Sequence, residues 1–141
     1  MNRLIMTVGL PRSGKTTWAR STGLPIVDID AIWVALGNRG TPVSCPKQIK
    51  IVSGLTRTII TSLFLSGNRE IVLCGLFLTK AQREFWVDPM WGRIFKLFDT
   101  PYEVCKERSP GGEWLEHLEQ KYKSFQPITP EELREGEKVI Q

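Results

Sequence analysis

The chain has 141 residues, 41% of them hydrophobic, and a net charge of +4; that supports one domain with its own core, and no apolar run approaches the ~20 residues of a membrane-spanning helix. The cysteines Cys45, Cys74 and Cys105 stand far apart, with His117 as the single histidine, which argues against a disulfide framework or a zinc site and for reduced thiols. Residues 1–99 carry 13 Lys/Arg against 6 Asp/Glu and residues 100–141 carry 6 against 9, a basic bias that fits nucleic acid, a phosphate pocket or a solvated surface equally well.

In chain order, Met1-Asn2-Arg3 leads straight into Leu4-Ile5-Met6-Thr7-Val8, an apolar run read as a buried strand. This leaves no room for a cleavable leader, and a cytoplasmic protein is the expectation. The next eight residues, Gly9-Leu10-Pro11-Arg12-Ser13-Gly14-Lys15-Thr16, fit the pattern G-x-x-x-x-G-K-[ST]. A loop between strand and helix can aim successive N–H groups at a phosphate only where its backbone takes conformations that glycine tolerates, which Gly9 and Gly14 allow. Lys15 then reaches the β- and γ-phosphates of ATP, the Thr16 hydroxyl ligates Mg²⁺, and the following helix turns its positive end to the anion. The expected nucleotide contacts are Gly9, Pro11, Arg12, Ser13, Gly14, Lys15, Thr16 and Thr17; the bland alternative is a chance match in a glycine-containing turn.

Leu24 to Asp30 reads as a short strand ending in two acids, followed by a helical stretch from Ala31 to Leu36 and turn chemistry from Gly37 to Pro42. After Pro46, Ile49, Val52, Leu55, Ile59, Ile60 and Leu63 recur at helical spacing up to Leu65. Ile71 to Phe77 is the continuous apolar run of a central parallel strand. Thr79 caps a helix through Trp86, Arg93 to Asp99 is a further strand, and Pro101 opens a helix. A stripe of Trp114, Leu115, Leu118, Tyr122 and Phe125 marks a helix expected to pack on the sheet. Gln126 to Gln141, with Pro127, Pro130 and four glutamates, reads as a flexible acidic tail with a short helix from Pro130. The alternation implies a doubly wound α/β domain over residues 1–125. With its phosphate-loop pattern the chain resembles the adenylate-kinase-like P-loop NTPases, so the expected fold is three-layer with a parallel sheet of about five strands. Trp18, Trp86, Trp91, Cys74 and His117 are read as core or surface residues with no chemical role.

The strand ending Leu73-Cys74-Gly75-Leu76-Phe77 lacks the acid that many P-loop ATPases and GTPases place there for Mg²⁺. Asp28 and Asp30 instead end the second strand, where carboxyl ends of parallel strands converge on a ligand crevice. Asp28 is the candidate metal ligand and Asp30 the candidate base, with a helix cap as the structural alternative for Asp30.

Three segments carry a resemblance: Leu4 to Arg20, Val27-Asp28-Ile29-Asp30-Ala31-Ile32-Trp33, and Phe98 to Arg108. With gaps over residues 3–125, the chain resembles the phage and bacterial P-loop kinases related to the polynucleotide 5′-hydroxyl kinases. The resemblance implies Asp30 as general base, Lys15 and Thr16-bound Mg²⁺ organising the triphosphate, and Arg108 as a lid arginine. It implies transfer of the γ-phosphoryl group of ATP to a hydroxyl, on a single-stranded polynucleotide 5′-end or a nucleotide. The alternatives are a small-molecule kinase of the same fold and an ATP-binding module without transfer. Three departures stand out: Trp33 replaces an arginine that grips the acceptor's phosphate, Cys74 to Phe77 replaces a polar segment, and the lid reads Ser109-Pro110-Gly111-Gly112. Trp33 can stack on a base, and Arg39, Lys47, Lys80 and Arg83 are the candidates to supply the missing charge.

Overall fold

A computed structural model describes residues 1–38 and 45–141. The expected turn from Gly37 to Pro42 lies mostly outside them, as does Arg39. Five strands form one sheet: β1 (Arg3–Val8), β2 (Ile26–Asp28), β3 (Glu70–Cys74), β4 (Gly92–Leu97) and β5 (Lys138–Ile140). Their order is β2-β3-β1-β4-β5, and every neighbouring pair is parallel. β1 thus lies at the centre, with Ile5 opposite Val72 on one side and Ile94 on the other.

Successive strand residues point to opposite faces, so each face builds its own core. Leu4, Met6 and Val8 join Ile71, Leu73 and Phe95 beneath Ile60 and Phe64 of α3 (Pro46–Leu65), with Trp86 and Trp91 filling the same layer. Ile5, Val72, Cys74 and Ile94 meet Ala19 and Trp18 of α1 (Lys15–Ser21) on the other face. Helix, sheet, helix is the three-layer arrangement expected of alternating strands and helices. Among the described residues, no helix is long and apolar enough to cross a membrane.

The remaining helices are α2 (Ile29–Ala35), α4 (Lys80–Glu84), α5 (Tyr102–Arg108) and α6 (Glu113–Ser124). α4 starts where its cap was expected: Thr79 accepts from the Gln82 amide at 3.2 Å, and the Gln82 side chain accepts from the Thr79 amide at 3.2 Å. α6 lies against α5 through stacked Tyr102 and Tyr122 rings.

Some expectations require correction: β3 ends at Cys74 rather than running to Phe77, and α4 ends at Glu84 rather than at Trp86. The second strand stops at Asp28 and α2 begins at Ile29, two residues ahead of the expected helix start. The segment from Gln126 is no flexible tail: it crosses the molecule, forms a 3₁₀ turn at Pro130–Glu132 and adds β5 beside β4. Two fully buried arginines hold it. Arg83 pairs with Glu132 at 2.7 Å, and Arg93 pairs with Glu137 at 2.7 Å. Ion pairs of this depth persist because further hydrogen bonds satisfy the guanidinium; Arg93 also donates to the carbonyls of Arg83 and Glu132, at 2.8 and 3.0 Å.

Candidate active site

β1 delivers the glycine-containing loop of residues 9–16, the expected phosphate site, to the carboxyl edge of the sheet. Gly9 is required there by space, because a Cβ would stand 2.8 Å from Phe98 Cβ and 2.9 Å from Ser13 Oγ. Gly14 is required by conformation, with φ of 99°. Arg12 takes φ of 66° without being glycine, a strain that neighbouring contacts must hold in place. Two such contacts come from the chain after β4: Thr100 Oγ1 donates to the Ser13 carbonyl at 2.9 Å, and Arg108 Nη1 donates to the Arg12 carbonyl at 3.0 Å.

Lys15 opens α1 and is 9% exposed. Its ammonium donates to the Leu10 carbonyl and to Ser13 Oγ, the latter at 3.1 Å. Burial lowers its pKa to about 8, while the Asp30 and Asp28 carboxylates are among the groups that pull it back up.

Sequence reasoning gave Asp28 to the metal and Asp30 to the base, with a helix cap as the alternative for Asp30; local geometry gives the cap to Asp28. Asp28 sits in extended conformation ahead of α2, and its Oδ1 accepts from the Asp30 amide at 2.9 Å. The helix cap is therefore Asp28, not Asp30. Asp30 keeps its carboxylate for other partners in the first turn of α2. Although the residue is exposed, partial desolvation and then the Asp28 charge push its pKa up, against the opposing pull of Lys15 and Arg12. A carboxylate made more basic beside a phosphate loop is the environment in which general bases are found.

Thr16 faces solvent in the first turn of α1, near Cys74 at the end of β3. Cys74 thus occupies the strand end where a metal-binding acid was missing from the sequence, and burial followed by the Asp28 charge raises its pKa and keeps it a thiol. No group of three or more His, Cys, Asp or Glu side chains suited to a metal occurs among the described residues. Mg²⁺ keeps several waters and takes one or two protein oxygens beside substrate phosphates. The Thr16 hydroxyl and Asp28, which both neighbour Cys74, supply the oxygens that fit a metal arriving with a nucleotide.

The segment after β3 is anchored in ways the sequence did not announce. Thr7 Oγ1 donates to the Gly75 carbonyl at 2.8 Å and accepts from the Gly75 amide at 3.1 Å. The Leu76 carbonyl accepts from the Gly9 amide at 3.2 Å. Phe77 has φ of 48°, and its ring covers Gly75 so closely that a Cβ there would lie 2.7 Å from it. The signal available was Thr7, one hydroxyl in an otherwise apolar strand.

Arg39 lies outside the described residues; of the other candidate cations, one is buried and two stand exposed on separate helices. Arg83 is buried, donating to the Phe77 carbonyl at 3.0 Å and to Glu132. Lys47 and Lys80 are exposed in the first turns of α3 and α4. Trp33 is half-buried on α2 and lines a cavity of about 270 Å³ with Leu36, Gln48, Ile51 and Val52.

No family model and no curated protein matches the sequence. The fold does recur among solved structures. A sugar kinase from Janibacter sp. HTCC2649 aligns over 99% of this chain and 85% of its own at TM-score 0.69 and 22% identity. A shikimate kinase from Acinetobacter baumannii aligns over 100% and 83%, at TM-score 0.56 and 17% identity. A chain of the Pnkp1/Rnl/Hen1 RNA repair complex aligns over 96% of this chain, which spans 50% of it, at TM-score 0.64 and 18% identity. With its parallel sheet and phosphate loop, the chain shares the α/β fold of these kinases.

Proposed function

We propose that the chain is a phosphotransferase that moves the γ-phosphoryl group of ATP to a hydroxyl acceptor. The observation that carries this reading is the geometry at the end of β2: Asp28 takes the helix cap by accepting from the Asp30 amide, and the Asp30 carboxylate stands exposed in the first turn of α2 within the influence of Lys15. A module that only binds nucleotide has no use for such a base.

Bound ATP, with the Mg²⁺ it brings, would supply the electrophilic γ-phosphorus, with ADP as the leaving group. The chain's residues do the rest. Gly9 and the loop from Pro11 to Thr17 hold the phosphates, and Lys15 Nζ exchanges the Leu10 carbonyl and Ser13 Oγ for phosphate oxygens. Thr16, with Asp28 nearby, holds the metal. A carboxylate oxygen of Asp30 accepts the acceptor's hydroxyl proton as its oxygen bonds to phosphorus, and Arg108 is positioned over the loop to share the developing charge.

For the acceptor, we infer a polynucleotide 5′-end or a nucleotide, supported by the sequence resemblance and by one structural neighbour belonging to an RNA repair complex. Two other neighbours are a sugar kinase and a shikimate kinase, so a small-molecule acceptor is the second reading. The decisive assay incubates the protein with γ-labelled ATP, Mg²⁺ and a panel of 5′-hydroxyl oligonucleotides, nucleosides, nucleotides, sugars and shikimate. Label is expected on one acceptor class, and both Lys15→Ala and Asp30→Asn are expected to lose it. ATP binding with no transfer to any acceptor would overturn the reading and leave a binding module, consistent with the apolar Cys74-to-Phe77 segment.

A further inference from the structure

Resting on the reading of residues 9–16 as the nucleotide site, we infer that Arg83 is a positioning residue for that loop: it fixes the Phe77 carbonyl and, through the strained backbone of Phe77, presents the Leu76 carbonyl to the Gly9 amide. Among the described residues, Arg12 and Phe77 are the two other than glycine with positive φ, and the carbonyl of each accepts from an arginine at 3.0 Å. A bulky aromatic at φ of 48° is an outlier that persists only where its surroundings hold it. Phe77 is held at two points. Its buried ring covers Gly75 and meets Trp86 edge-on, and its carbonyl accepts from Arg83 Nη1. Because φ is the rotation about the N–Cα bond, a Phe77 whose ring and carbonyl are fixed aims the preceding peptide plane through φ alone. An ordinary negative φ would swing that plane by roughly 100° and take the Leu76 carbonyl away from the Gly9 amide, which it meets at 3.2 Å.

Arg83 is equipped to hold this strain. Its side chain is fully buried, and the Glu132 carboxylate accepts from Nε at 2.7 Å and from Nη2 at 3.2 Å, a two-pronged contact that fixes the plane of the guanidinium. The Gln126 carbonyl accepts from Nη2 at 2.9 Å, and Nη1 is left for Phe77. The apolar run from Cys74 to Phe77, which carries no acid, thus serves the site through its main chain.

The second buried arginine supplies the control. Arg93 also ties down the segment from Gln126, but its side chain donates to Glu137 and to the carbonyls of Arg83 and Glu132, not to residues 75–77. Arg83→Met and Arg93→Met are compared with the wild type, and Glu132→Gln and Glu137→Gln give the same contrast should a methionine variant fail to fold. Deuterium exchange at the Gly9 amide is read by NMR without nucleotide, and Mg-ATP is titrated calorimetrically. Arg83→Met is expected to exchange faster at Gly9 than Arg93→Met and to bind ATP about ten- to hundredfold more weakly, with Arg93→Met binding as the wild type does. Equal Gly9 exchange, or equal and measurable ATP affinity, in the two variants overturns the inference and leaves Arg83 a purely structural ion pair. Gly9 exchange that depends on Arg83 in a wild-type fold that binds no ATP supports the positioning of the loop and overturns the nucleotide reading alone.

Discussion

Lys15 shows how a single residue can be chemically altered by its own loop. Burial lowers its pKa to about 8, so its charge is complete below that pH and fades as the pH rises through it. Phosphate oxygens favour the charged form, and nucleotide binding near pH 8.5 should therefore take up a proton, whereas binding at pH 6.5 should not. Calorimetry in buffers of different ionisation enthalpy measures this uptake, and affinity for ATP is expected to fall as the pH passes about 8. Asp30 has the opposite sign: its pKa is raised, and the base is lost on acidification at a higher pH than an ordinary aspartate would show. Asp30→Asn should lower kcat by about 10²–10⁴-fold, flatten the acid limb of the kcat profile and leave the KM for ATP unchanged. The loop was legible in the sequence because its pattern specifies residue types at fixed spacing. The roles of Asp28 and Asp30 were not, because the cap belongs to whichever acid has extended backbone, and that is Asp28 with φ of −107° and ψ of 115°.

β5 is the element that sequence reasoning missed. A stretch rich in proline and glutamate satisfies the compositional signature of disorder, yet Glu132 and Glu137 lie 49 and 44 residues from the arginines that bind them. No local window contains both halves of either pair. At Glu137, burial opposes the charge, but hydrogen bonds from the Arg93 side chain, from the amides of Arg134 and Arg93, and the Arg93 charge outweigh it, and its pKa falls below the usual glutamate value. The stability it contributes is complete above about pH 4.5 and is lost as the pH falls through the lowered pKa. Glu137→Gln leaves Arg93 buried without its counter-ion and should cost about 3–5 kcal/mol, read as a lower urea midpoint at pH 7. Helix α4 was the converse case, since its capping box is written within four consecutive residues, Thr79 to Gln82.

Across the whole molecule, the paired arginines couple the segment from Gln126 to the phosphate loop. Glu132 holds Arg83, Arg83 holds the Phe77 carbonyl, and the adjacent Leu76 carbonyl receives the Gly9 amide. Ending the chain after residue 125 removes β5, exposes the β4 edge and strands both buried arginines. The shortened protein is expected to show no cooperative thermal transition by circular dichroism, while the chain through residue 141 unfolds in a single step. Composition and periodicity revealed the layers and the parallel sheet, but closure of the sheet by β5 depends on pairings between distant residues. The pair of hydrogen bonds between the Thr7 hydroxyl and the Gly75 backbone, together with the Gly9–Leu76 contact, also divides the phosphate loop into two mechanical halves. The Gly75 and Gly9 amides are fastened to the sheet and should exchange with deuterium only when the sheet opens. The amides of Arg12 to Gly14, held by Arg108 and Thr100 through neighbouring carbonyls alone, should exchange by local opening and slow when nucleotide binds. The site thus has a fixed sill at Gly9 and a hinged rim at Gly14.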